Sequence, residues 1–370
     1  MGTKKAIDYL TIKGFKSIAG LNHFSLNRLN VLIGANGVGK SNFVSYFRML
    51  GELIEGRLEG WTNKQGTADR VLHFGVKETS AIVSKVEFGL NSYEFELEPT
   101  VEGLFIFERE AIVFNGPYFG KKTIQLGSGH KESKLKSEWE SSGTESVEDY
   151  CYTSITNWKV YHFHDTSETA GMKRLNPLHE NQSLLQDASN LAAFLFRVKE
   201  EHPETYAQIR KTVQLAIPFF DDFVLQTRKL PSGERQVRLL WKQKQNEYLF
   251  WPSQLSDGSI RFICLVTALL QPEPPSTIII DEPELGLHPY AVTLLGSLLR
   301  SASERMQVIV STQSVSLVNE FSIEDLVIVE REEGSSVLKR LEEMDFKAWL
   351  EEYSVGELWA KNILGGRPPR

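Results

Sequence analysis

Gly34-Ala35-Asn36-Gly37-Val38-Gly39-Lys40-Ser41 matches G-x-x-x-x-G-K-[ST] in full, with a β-branched run before it and a helical pattern after it. Glycines let successive backbone N–H groups turn toward one centre. The helix that follows adds its positive end, so the segment can hold an anionic phosphate without a buried counter-charge. Lys40 is expected to reach the β- and γ-phosphates of a nucleoside triphosphate, and the Ser41 hydroxyl to take one Mg²⁺ position. Candidate nucleotide contacts here are Asn36, Gly37, Gly39, Lys40, Ser41 and Asn42. A second segment, residues 277–283, is an apolar strand ending in two acids. Asp281 falls at its C-terminal end, where an acceptor for the metal or its water is needed. Strand alternation aims Glu282 away from Asp281, which permits separate jobs: Asp281 serves the metal and Glu282 polarises the attacking water as general base. A third segment, Leu255-Ser256-Asp257-Gly258-Ser259, opens an apolar helical run. Ser and Gly at a helix start suit an ordinary N-cap, and they also make an anion-binding end. With one face of the nucleotide already covered, that end is most useful capping a γ-phosphate held by another subunit.

Local patterns predict the elements that position these residues. Residues 9–12 and 29–33 read as strands of an opening sheet, and the second runs into the glycine loop. From 41 to 53, Phe43, Val44, Phe47, Leu50 and Leu53 recur at three- and four-residue steps, one face of a helix. From about 71 to 126 the pattern becomes alternation, predicting an antiparallel meander with one wet face. Residues 127–150, rich in Ser, Glu, Lys and Gly, predict a mobile surface loop that proteases nick first. A strand over 158–163 follows, then a helical repeat over 184–215 interrupted by Pro203. Residues 223–250 return to strands, with Pro231-Ser232-Gly233 as a hairpin turn.

The 370 residues exceed one average domain, and 41% hydrophobic with 24% charged residues excludes wholesale disorder or a fibrous repeat. The most apolar stretch, 262–270, is less than half of the roughly 20 residues that span a bilayer, so no membrane partner is expected. The N-terminal residues lack the apolar stretch and cleavage site of a secretory signal. The two cysteines, Cys151 and Cys264, form neither a disulfide framework nor a metal-ligand spacing. A cytoplasmic chain is the expectation. A net charge of −7 argues against a general nucleic-acid coat but leaves room for a local basic patch, so DNA stays open as a partner.

Taken together, these segments resemble the ATPase heads of the ABC superfamily, in the branch that contains SMC, RecF and the OLD-type ATPases. Residues 255–259 are similar to the LSGGQ signature, with Asp257 in place of its first glycine and Ser259 in place of its glutamine. Glu284-Leu285-Gly286-Leu287-His288-Pro289 resembles the D-loop region of the OLD-like branch, and Ser311-Thr312-Gln313-Ser314 sits where that branch has a Thr-His-Ser switch. Ile12-Lys13-Gly14-Phe15-Lys16-Ser17-Ile18 is similar to the opening strand of RecF-like heads. The resemblance implies an α/β fold of the ABC head type. Its parts would be an N-terminal ATPase lobe over 1–180 with Walker A and a mixed or antiparallel sheet, a helical and strand insertion over 181–250, and a parallel-sheet C-terminal lobe over 251–370 with signature and Walker B. No long heptad run separates Ser41 from Ser256, so a coiled-coil arm is not expected.

The resemblance also implies ATP and Mg²⁺ as cofactors, with Ser41 and Asp281 at the metal and Glu282, Lys40 and Gln313 in catalysis. Two copies would sandwich two ATP molecules, with Ser256, Gly258 and Ser259 of one completing the site of the other. Gln182 and Gln186 are Q-loop candidates by position. In Tyr161-His162-Phe163-His164-Asp165 the two histidines fall on one face of a strand, at a spacing that suits either a metal or a structural strand of the nucleotide lobe. By likeness to OLD-type modules the chain would be an ATP-switched head controlling a separately encoded nuclease or toxin in anti-phage defence. Only 56 residues follow Ser314, too few for the Toprim nuclease domain of true OLD enzymes. The alternatives are a RecF-like DNA-repair ATPase and the ATPase subunit of an ABC transporter.

Overall fold

The computed structural model describes residues 5–117 and 120–366. β1 (Tyr9–Phe15) and β2 (Ile18–Ser25) form a hairpin that buries Leu10, Ile12 and Ile18. β3 (Leu29–Ile33) is buried at every position, the mark of a strand inside a parallel sheet covered on both faces. The glycine loop leads into α1 (Lys40–Ile54), which buries the expected stripe of Phe43, Val44, Phe47, Leu50 and Leu53. Short helices α2 (Leu58–Gln65) and α3 (Ala68–Val71) lead to the meander of β4 (Ile82–Phe88), β5 (Asn91–Pro99), β6 (Phe105–Gly116) and β7 (Gly120–Gly127). These strands form one antiparallel sheet in the order β2-β1-β4-β5-β6-β7.

Residues 127–150 differ from the loop expected of them, and the cause is a buried acid. Glu110 on β6 is fully buried and accepts from Tyr93 Oη at 2.6 Å, Ser133 Oγ at 2.5 Å, His130 Nε2 at 2.8 Å and the Lys134 backbone N–H at 3.0 Å. A carboxylate taken out of water must be paired or it costs several kcal/mol, so these partners are fixed. From that anchor the chain starts α4 (Leu135–Ser141) and then α5 (Val147–Thr156), the latter capped by Ser146 Oγ accepting from the Asp149 N–H at 3.0 Å. The Ser- and Lys-rich composition reads as solvated chain, but Leu135, Cys151 and Ile155 are buried.

β8 (Trp158–Tyr161) is shorter than expected and ends before His162, so His162 and His164 do not share a strand face. Among the described residues no group of three or more His, Cys, Asp or Glu side chains gathers as a metal site. β9 (Asn176–Pro177) precedes α6 (Leu191–Glu201) and α7 (Pro203–Ala216). Pro203 opens α7, where its missing N–H has no helical partner to lose. β10 (Phe220–Lys229) and β11 (Arg235–Gln243) form the hairpin expected around Pro231-Ser232-Gly233, pairing Val224 with Leu240 and Thr227 with Val237. β12 (Leu249–Phe250) and β9 complete this small sheet. α8 (Asp257–Leu270), β13 (Thr277–Asp281), α9 (Pro289–Ser303), β14 (Gln307–Thr312), β15 (Leu326–Glu332) and β16 (Ser335–Arg340) follow.

The central sheet has the order β16-β15-β3-β14-β13-β8, parallel except for β16 at its edge. Strand alternation divides the core between its two faces. Val31, Ile33, Ile278, Ile280, Val308 and Val310 pack on one side, while Leu32, Ile279, Ile309, Val327 and Val329 pack on the other. The result is the expected α/β head: an antiparallel lobe, a mostly parallel sheet and a helix-and-strand insertion. Among the described residues the longest helices have 15 residues, no coiled-coil arm occurs, and no helix is long and apolar enough to cross a membrane.

The Glu110 anchor gives a direct expectation. Trypsin should cut at Lys131 and Lys134 slowly in the natural chain and at least about tenfold faster in Glu110→Ala, because the unpaired partners release the segment. Equal cleavage rates on a gel time course would show that Glu110 does not hold it.

Candidate nucleotide site

β3 carries the chain to Gly34, where the backbone runs so close to β15 that a Cβ would strike the Val329 carbonyl oxygen. Gly39 caps α1 with φ +110, a left-handed conformation that favours glycine, and its missing side chain makes room for Ser17 and Ser336. Asn36 and Gly37 are exposed at the loop's crest. Ala35 N–H donates to the Gly366 carbonyl at 2.7 Å, so a segment from the far end of the chain braces the loop. Lys40 is buried, and its Nζ donates to the carbonyls of Gly34 at 2.6 Å and Ala35 at 3.0 Å. Burial lowers its pKa, against the opposing pull of Glu282, Asp281 and Glu284. Asn42 turns elsewhere: its Nδ2 donates to Ser17 Oγ at 2.8 Å and ties α1 to the β1–β2 turn.

The strand register brings the second acidic segment to this loop. Ile33 pairs with Thr312 and Ser311 with Asp281, so β3, β14 and β13 end on one level. Ser41 Oγ lies 3.5 Å from Asp281 Oδ1, which also accepts from Ser311 Oγ. Glu282 stands one residue past β13 in a left-handed conformation, φ +45, with its N–H on the Ser311 carbonyl at 2.9 Å. Its separation from Asp281 therefore comes from this turn and not from strand alternation, which has ended. Gln313 Nε2 donates to Glu282 Oε1. Glu284 Oε1 accepts from Thr312 Oγ1 at 2.5 Å and from the Gln313 N–H at 3.2 Å, while Oε2 is buried without a partner. Burial pushes the Glu284 carboxyl above its usual range. Ser41 and Asp281 supply two hard oxygens, too few for an all-protein cage but suited to a Mg²⁺ ion that keeps waters and phosphate oxygens.

Lys40 beside a serine–aspartate pair, at the ends of parallel strands, is an arrangement that can receive a nucleotide's phosphates. The family described as "AAA domain, putative AbiEii toxin, Type IV TA system" matches residues 29–319. The chain belongs to this AAA-domain family. The match begins at β3 and takes in the glycine loop, Asp281 and Gln313. Among solved structures, the chain is similar to an SMC head bound to the C-winged helix domain of ScpA. The identity is 14%, the TM-score 0.56, and the match covers 92% of this chain and 99% of that one. It is also similar to an SMC head with an extended coiled coil bound to the C-terminal domain of ScpA, derived from Pyrococcus furiosus. There the identity is 14% and the TM-score 0.54, over 94% and 99% of the two chains. At such identity the likeness establishes the fold, that of an SMC head. A search of curated proteins gives no match.

The signature-like tip of this AAA domain sits at the start of α8. Ser256 caps the helix, accepting from the Ser259 N–H at 3.2 Å and donating to Ser259 Oγ at 2.9 Å. Gly258 backs onto the Gly286 carbonyl, which leaves no space for a Cβ. Ser256 and Asp257 face solvent, and among the described residues no hydrogen bond joins the tip to Lys40, Ser41, Asp281 or Glu282. Arg261, one turn into α8, locks three segments together through carbonyl oxygens: Nε to Phe163 at 2.9 Å, Nη2 to His164 at 3.4 Å, and Nη1 to Leu285. Sequence reading passed over Arg261, although a lone arginine in an apolar helical run was a visible signal. Among the described residues neither Gln182 nor Gln186 is hydrogen-bonded to these groups; their carbonyls accept from Arg197 and from the His162 N–H.

Glu284 yields a pH test in nucleotide-free protein. Its proton is held more tightly folded than unfolded, so the stability it contributes is present below the unfolded pKa and lost as pH rises through the folded one. Glu284→Gln, neutral at every pH, should raise the melting temperature at pH 7.5 by about 2 °C and change nothing near pH 4. Equal destabilisation at both pH values would contradict the assignment.

Proposed function

We propose that this AAA domain binds and hydrolyses ATP with Mg²⁺, that two copies close over two ATP molecules, and that the cycle switches a separately encoded effector in the cytoplasm. The observation that carries the reading is the convergence of Lys40, Ser41, Asp281, Glu282 and Gln313 at the level ends of β3, β14 and β13. Lys40 trades its loop carbonyls for the β- and γ-phosphates, and the amides of 37–41 hold the rest of the chain of phosphates. Ser41 and Asp281 hold the metal, which when bound neutralises phosphate charge. Glu282 takes a proton from the attacking water, and Gln313, already hydrogen-bonded to it, holds that carboxylate in place and senses the γ-phosphate. Ser256, Gly258 and Ser259 project from their exposed tip toward a second copy, where the helix start caps the γ-phosphate.

Two comparisons support the effector half of the proposal. The SMC head of one solved structure carries a winged-helix domain, which favours a head that works through a protein partner. The family description joins an AAA domain to a toxin of a type IV toxin–antitoxin system, which favours a toxin setting for the ATP-driven cycle.

Glu282→Gln should bind ATP, lose at least about 100-fold in turnover, and accumulate as an ATP-dependent dimer in analytical ultracentrifugation. Turnover like that of the natural chain would remove Glu282 from the role of base. Lys40→Ala should lose ATP binding by calorimetry, and undiminished affinity would count against the phosphate-loop assignment.

A further inference from the structure

A cavity of about 500 Å³ opens on the flank of α1, separate from the nucleotide site. Its volume is that of a small-ligand pocket. Phe47, Trp61 and Trp158 form an apolar side, and Arg48, Lys64 and His162 line the polar side. The acids at its rim are already engaged: Glu52 with Arg57 at 2.7 Å, and Glu55 with Lys136 at 2.9 Å. Arg48 Nε and His162 Nδ1, by contrast, are buried polar atoms without a hydrogen-bond partner. Lys16, whose Nζ sits 5.8 Å over the Trp61 ring, brings a further positive charge behind the wall. Burial and the nearby Arg48 guanidinium both push the Lys16 pKa down. They do the same to His162, with Asp187 as the opposing charge. Lys16 Nζ donates to Ser45 Oγ at 2.7 Å and Gln65 Oε1 at 3.1 Å, and among the described residues no acid forms an ion pair with Lys16, Arg48 or Lys64. Unpaired buried polar atoms are costly, and like charges held together without an acid cost more. Nothing in the ATP site uses these groups.

We propose that this cavity binds a phosphate monoester, gripped by Arg48 and His162 with Lys64 at the exposed mouth. A planar guanidinium fork matches two phosphate oxygens, and the surplus of positive charge suits a dianion better than a single carboxylate. Two sources carry this group: a phosphorylated metabolite of nucleotide size, and the 5′-phosphate at a nucleic-acid end. The site stands independently of ATP at the glycine loop, and the test keeps the two apart.

The probes are AMP and a short single strand with a 5′-phosphate, alongside the same strand with a 5′-hydroxyl, each titrated by calorimetry into the Lys40→Ala chain. One binding event per chain is expected. Adding Arg48→Gln or His162→Ala should weaken it at least about tenfold, and the exposed Lys64→Gln about threefold, with melting temperatures of the free chains no lower than that of Lys40→Ala. Binding of AMP makes a metabolite the source. Binding of the phosphorylated strand, without AMP or the hydroxyl strand, makes a nucleic-acid end the source. No binding of either phosphate probe to Lys40→Ala, or affinity within twofold of it after both Arg48→Gln and Lys64→Gln, overturns the proposal. Should Arg48→Gln fail to fold, Lys64→Gln alone decides.

Discussion

Three neighbouring parallel strands that stop at the same height bring the candidate site together. β14 lies between β3 and β13, and its pairing holds Ile33 level with Thr312 and Asp281 level with Ser311. The glycine loop, residues 311–314 and the acidic segment must therefore leave the sheet side by side, although about 270 residues of chain separate the glycine loop from residues 311–314. A slip of one residue in either pairing would turn Asp281 to the opposite face and take it from Ser41. Asp281, Glu282 and Glu284 are crowded at this edge, and Lys40 is the cation that offsets them. Apolar packing on both faces of the sheet holds the register; the polar groups at its edge inherit it.

The loop above that edge is seated by close contacts. Gly34 is pressed against the Val329 carbonyl, Gly39 against Ser17 and Ser336, and Ala35 is hydrogen-bonded to Gly366. Glu330 accepts from the Gly366 N–H at 2.9 Å and from Lys339 at 2.9 Å, which extends the support to β15 and β16. Arg261 does the same for the signature-like tip by binding carbonyls on either side of it. Strain at Glu282, φ +45, is tolerated because its N–H and carboxylate are both held from β14 and the residue beyond it.

What could be read from the chain alone was local. The glycine loop, the stripe on α1, the β10–β11 hairpin and the apolar strand ending in Asp281 are each specified by residues within a few positions of one another. The candidate site residues on those segments follow from the same local patterns. The misreadings share a long-range cause. Glu110 lies within the expected meander, and nothing near it in sequence marks it as buried, because its partners His130, Ser133 and Lys134 lie on the next segment. That pairing turned an apparent loop into two helices. Glu282 was assigned an orientation by strand alternation, but the strand ends one residue earlier. The side-chain amide of Asn42, next to Ser41 in sequence, is held by Ser17 from the β1–β2 turn. Arg261 and Gly366 act on backbone atoms, which leave no mark in the partner's residue type.

The most direct measurement is a crystal structure of the Glu282→Gln chain grown with Mg²⁺ and ATP. The account predicts a metal held by the Ser41 hydroxyl and Asp281, phosphates wrapped by residues 34–41, and Ser256 of the partner subunit facing the γ-phosphate. A metal bound by other groups, a nucleotide seated away from the glycine loop, or a tip that no second copy approaches would contradict it.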